Sequence, residues 1–215
     1  PRFAILDPCT TFSLPARQTG NGVVDAFVHT IEQYLTYPAD APLQDRYAEG
    51  LLQTLIEEGP KALANPQDYN ARANLMWCAT QALNGLLGCG VPQDWATHMI
   101  GHELTALYHI DHAQTLAVVL PALLAERREA KWSKLLQYAE RVWHLREGSE
   151  AARIDAAIAA TQTFFTTMGV PTRLSEHGLD ADVIPQVLAQ LERHRMTALG
   201  EGCDIDLATS ERILL

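Results

Sequence analysis

Residues 22–35 read GVVDAFVHTIEQYL. Val24, Phe27, Val28, Ile31, Tyr34 and Leu35 recur at spacings of three and four, which is the apolar stripe of an α-helix packed against a core. The polar positions of the same stretch carry a second message. Asp25 and His29 are four apart, so on a helix they share one face and can approach one ion from one side.

Helical period continues along most of the chain. Leu43 to about Ala64 reads as a second helix with Leu51, Leu52, Leu55 and Ile56 inward. Asp68–Leu87, Gln93–Tyr108 and His112–Arg127 follow, with a kink or break expected at Pro121. Arg128–His144, Glu150–Met168, Ala181–His194 and Leu207–Leu215 complete the set. Gly148-Ser149 and Gly169-Val170-Pro171 mark turns between them. The first residues differ. Phe3-Ala4-Ile5-Leu6 is a short apolar run stopped by Asp7-Pro8, and it reads as a buried strand. The expectation is an all-α bundle of about eight or nine helices preceded by one short strand. A lone strand leaves its backbone groups unpaired, so residues 1–20 are expected to be a residual strand and crossing segment. Residues 21–215 would form the helical domain, with an α/β domain lying outside this chain.

Composition narrows the function. The chain has 215 residues, 47% of them hydrophobic, and 16 basic against 26 acidic residues for a net charge of −10. That balance, without a Lys/Arg patch, excludes nucleic acid and an anionic membrane surface as partners. No apolar run approaches the ~20 residues of a membrane span, and no signal pattern opens the chain. Cys9, Cys78, Cys89 and Cys203 form no CxxC pair and read as reduced thiols of a cytoplasmic protein, Cys78 and Cys89 in the core. Trp77, Trp95, Trp132 and Trp143 read as core anchors, and His144, His177 and His194 as surface residues.

Chemistry concentrates in residues 98–112, HMIGHELTALYHIDH. Five of the eight histidines (His29, His98, His102, His109 and His112) fall in this window and the first one. One carboxylate with two or three imidazoles suits zinc or ferrous iron better than calcium or magnesium. Spacing alone does not choose among the four histidines of the second window, because His98 and His102 are themselves an i,i+4 pair. His102-Glu103 opens like the HExxH protease motif, but residue 106 is Ala. GLLGCGVP follows a helix rather than a strand, so it is a helix stop and not a phosphate loop.

The segments NGVVDAFVHTIEQYLTYPADAPLQD and THMIGHELTALYHIDHAQTLAVVLP, with LDPCTTFSLPARQ before and GVPTRLSEHGLD after, strongly resemble the metal-dependent (iron-containing, group III) alcohol dehydrogenases. The similarity is greatest to the NADPH-dependent aldehyde reductase and butanol dehydrogenase branch. It implies a dehydroquinate synthase-like helical C-terminal domain that follows an α/β nucleotide-binding half. It implies Asp25, His29, His98 and His112 as ligands of a divalent metal, zinc or iron. It makes His102 a non-ligand close to nicotinamide and substrate, and places Thr10, Ser13 and Leu14 in the cofactor cleft for NADP(H) or NAD(H). The implied activity is interconversion of small aldehydes and primary alcohols, by a homodimer. Catalysis by this chain alone is not expected, since the glycine-rich pyrophosphate loop is absent from it. Two rivals remain: a non-catalytic helical metal-binding or oligomerisation module, and a three-ligand site of the polyol-dehydrogenase or dehydroquinate-synthase type.

Overall fold

A computed structural model describes residues 2–215. A 3-10 turn over Pro8–Thr11 leads into α1 (Ala16–Tyr34), α2 (Pro42–Ala64), α3 (Tyr69–Leu83), α4 (Ala96–Tyr108) and α5 (His112–Glu126). There follow α6 (Trp132–Arg141), α7 (Glu150–Thr167), α8 (Ile184–Arg193) and α9 (Leu207–Leu214). Helix starts are written in local chemistry. The carboxylates of Asp68 and Asp206 accept from Ala71 N–H (3.1 Å) and Thr209 N–H (2.8 Å), capping α3 and α9. Ser149 does the same for α7 through Ala152 N–H at 3.3 Å.

α1 is the axis of the molecule. Val24, Phe27, Val28, Ile31 and Leu35 are wholly buried, and the helix packs on α2, α3 and α5. Phe27 meets Phe165 of α7 edge-on at 5.5 Å and Phe164 at 5.4 Å. Near its start α1 runs so close to the end of α7 that a Cβ on Gly20 would stand 2.1 Å from the Met168 carbonyl oxygen. This packing seats the helix that carries Asp25 and His29. Among the described residues no helix is long and apolar enough to cross a membrane.

Several expectations are corrected. The N-terminal strand does not form: Phe3–Leu6 has no ladder partner among the described residues, and the first backbone hydrogen bond is Thr10 N–H to Asp7 C=O. An apolar run becomes a strand only when another strand satisfies its backbone, and here Phe3 and Ile5 lie exposed. The one β-type pairing described is an isolated bridge between Leu199 and Ile205. α5 continues through Pro121 without a break. α3 stops at Leu83, because Gly85 takes φ +86° and Asn84 accepts Leu86 N–H at 2.9 Å. That turn carries Cys89 into solvent, so of the two cysteines expected in the core only Cys78 is there. Trp77 is also exposed, while Trp95, Trp132 and Trp143 are half-buried.

Candidate metal centre

Asp25, His29, His98 and His112 converge: one ligating atom from each lies within 4.8 Å of every other. α1 supplies the i,i+4 pair, with Asp25 Oδ2 3.7 Å from His29 Nε2. α4 supplies His98, whose Nε2 is 3.2 Å from His29 Nε2. His112 opens α5, and its Nε2 lies 3.5 Å from Asp25 Oδ1. His98 is the deepest of the four, while Asp25 and His112 stand at the mouth.

The electrostatics suit a cation. Burial pushes the His98 pKa down to about 4. Burial likewise lowers His29 and His112, and their imidazole neighbours add to it. Neutral imidazoles present lone pairs, as a metal requires. Asp25 Oδ1 is buried without a hydrogen-bond partner, an orphaned carboxylate oxygen facing three nitrogen donors. A borderline divalent ion such as zinc or ferrous iron satisfies that set.

His102 is not one of the converging donors. It is exposed on α4, stacked on His112 with ring centres 4.9 Å apart. His109 is exposed too and ends α4 in the left-handed region. Trp95 closes the other side, its ring edge-on to His29 at 5.6 Å and to His98 at 5.3 Å.

A cavity of about 380 Å³, lined by Gln18, Asn21, Gly22, Asp25, Asp111, His112 and Ala113, opens directly on the mouth of the cluster. It adjoins an apolar groove of about 630 Å³ at Gln18 and Gly22, walled by Leu14, Val23, Leu75 and Met76 among others. Of the three residues expected in a cofactor cleft, Leu14 lines this groove. Thr10 and Ser13 are exposed on the preceding turn and line neither cavity.

Sequence reasoning missed two groups. Arg17 (2.6 Å) and the Asn21 amide (2.8 Å) clasp Asp111, the residue before His112. Arg17, Asn21, Asp25 and His29 step by four along α1, and that periodicity was the available signal. The second group is Glu32, one turn beyond His29 and buried at 3% exposure. Its carboxylate pairs with His98 Nδ1.

The family model for the "Fe-containing alcohol dehydrogenase family, C-terminal" matches residues 19–199. The chain is 66% identical over 213 residues to the NADPH-dependent aldehyde reductase YqhD of Escherichia coli, covering 99% of this chain and 55% of that protein. It is 39% identical to NADP-dependent alcohol dehydrogenase 3 of Entamoeba histolytica, covering 100% of this chain and 54% of the relative. A solved substrate- and cofactor-free form of the E. coli aldehyde reductase superposes with TM-score 0.99 at 65% identity, covering 100% of this chain and 56% of that one. The NADH-dependent butanol dehydrogenase A of Thermotoga maritima gives TM-score 0.90 at 30% identity, covering 97% and 54%. The chain thus spans about half the length of the curated relatives it matches.

Proposed function

The chain belongs to the Fe-containing alcohol dehydrogenase family, and from that premise we propose that it is the metal-holding half of an NAD(P)-dependent oxidoreductase interconverting small aldehydes and primary alcohols. The convergence of Asp25, His29, His98 and His112 carries this reading. These four side chains hold zinc or ferrous iron. When bound, the ion supplies Lewis acidity toward the carbonyl oxygen and a reduced nicotinamide supplies the hydride.

The protein's own groups do the rest. His98 and His29 form the buried floor, and Asp25 and His112 present the site to the 380 Å³ cavity through which substrate enters. The apolar groove beside it takes the carbon chain. His102 stacks on His112, which lines that cavity, and partial burial with the His112 and His98 imidazoles lowers its pKa. From beside His112 it is placed to pass a proton. Leu14, with Thr10 and Ser13 on the segment before α1, faces the nicotinamide cofactor, and the helices from α1 (Ala16) onward form the metal-binding domain. A structural ion would need a closed site; the cavity at Asp25 and His112 favours the catalytic reading.

The test is aldehyde-dependent consumption of NADPH by the gene's whole product. Stripping the metal with a chelator should abolish it, and zinc or ferrous iron should restore it. Activity indifferent to stripping and to Asp25→Ala would refute the reading. A homodimer belongs to the same proposal, supported by the exposed apolar residues Phe3, Ile5 and Leu6. Light scattering with and without residues 1–7 tests whether that segment joins the copies.

A further inference from the structure

α4 begins without a conventional cap. The residue before it, Trp95, sits in the left-handed region at φ +63° and offers no side-chain acceptor. Asp94 takes the N–H of Ala96 at 3.0 Å. The next two donors are met from another helix: Glu32 Oε1, on α1, accepts from Thr97 N–H at 2.6 Å and from His98 N–H at 3.4 Å. A carboxylate at a helix start also faces the positive end of the helix dipole. The other oxygen, Oε2, pairs with the His98 ring at Nδ1. The backbone repeats the tie, since Asp94 N–H donates to the Glu32 carbonyl at 2.8 Å.

One buried side chain therefore fixes two things: the register of α4 against α1 and the rotation of the His98 ring. With Nδ1–H given to a carboxylate, the lone pair of Nε2 is free, and Nε2 is the atom that meets His29 Nε2 at 3.2 Å. His29 has no such support, for its Nδ1 is buried without a partner. A buried carboxylate is strongly disfavoured unless its oxygens are satisfied. Glu32 is held by two backbone donors and one imidazole, all on the segment that bears His98.

We infer that Glu32 is a positioning residue for the metal centre, holding His98 in the Nδ1–H tautomer so that Nε2 is presented to the ion. The inference rests on the metal-site reading above. Glu32→Gln retains one oxygen, which cannot accept from both the helix start and the ring. Zinc affinity is measured by competition with a chromogenic chelator for the wild-type protein, for Glu32→Gln and for Glu49→Gln. Glu49 is a buried carboxylate in a separate network with Tyr34 and Gln137. Wild type should bind one zinc. Glu32→Gln should bind about 10–100-fold more weakly, and Glu49→Gln should match wild type. Nitrogen NMR of metal-free wild type gives a second readout that a merely structural role would not set: His98 should carry its proton on Nδ1. Equal affinities of Glu32→Gln and wild type, or an Nε2–H tautomer in wild type, would overturn the inference. If wild type itself takes up no zinc, the metal-site reading fails and this inference goes with it.

Discussion

Gly20→Ala isolates the contact that seats the metal-bearing helix. The new methyl group would sit 2.1 Å from the Met168 carbonyl oxygen and 3.3 Å from its carbon, about 1.3 Å inside the 3.4 Å at which ordinary contact begins. The obstacle is backbone, so relief requires α1 or the 168–170 turn to move. Val170, wholly buried beside it, resists that movement. Overpacking of this kind costs roughly 1–3 kcal/mol, against a gain of up to about 1 kcal/mol from replacing a helical glycine by alanine. With the full gain the net expectation is a loss of up to about 2 kcal/mol, or a fall in Tm of up to about 8 °C for a chain this size. Gly22, two residues along the same helix, has nothing within 4 Å of an added Cβ. Gly22→Ala should therefore raise stability by up to about 1 kcal/mol. Urea unfolding of both variants in the metal-free state is the assay. Gly20→Ala as stable as Gly22→Ala would refute the packing of α1 against the end of α7.

Three further outcomes follow from named contacts. Lys131, 3% exposed, donates to Asp94 at 2.8 Å, Glu201 at 2.7 Å and the Leu35 carbonyl at 2.6 Å. Lys131→Ala leaves those carboxylates uncompensated and should cost about 3–5 kcal/mol in urea unfolding; a loss within 0.5 kcal/mol or so of wild type would contradict the pairing. Burial raises the Cys78 thiol to about 11, so at pH 8 a thiol reagent should label Cys9, Cys89 and Cys203 while Cys78 reacts only on unfolding. Zinc at about 100 times its Kd should raise stability by about 2.7 kcal/mol and Tm by roughly 5–11 °C; Asp25→Ala should lose that increment with the metal-free Tm little changed.

The helices were legible because their signals are local. The α1 stripe and the i,i+4 pair Asp25/His29 depend on residues within one or two turns. Most of what failed depends on distant chain. Phe3–Leu6 has strand composition, but a strand is a property of a pair, and no partner lies among the described residues. Cys89 was expected in the core, yet the turn with positive φ at Gly85 and Gly90 leaves it exposed while Leu87 beside it stays buried. His98 and His102 are equivalent by spacing. The approach of α1 separates them, because α1 brings His29 to His98 while His102 is left exposed on His112. The resemblance to the alcohol dehydrogenases implied the same four residues that the fold brings together. Glu32 was invisible for the same reason, since the ring it holds is 66 residues away in sequence.

Four side chains from α1, α4 and α5 are proposed to hold one divalent ion. Anomalous X-ray diffraction at the metal edge, from crystals of zinc- or iron-loaded protein, tests it most directly. A single strong peak is expected, bounded by Asp25 Oδ, His29 Nε2, His98 Nε2 and His112 Nε2, at ligand distances of about 2.0–2.2 Å. No peak there, or one held by other residues, would contradict it.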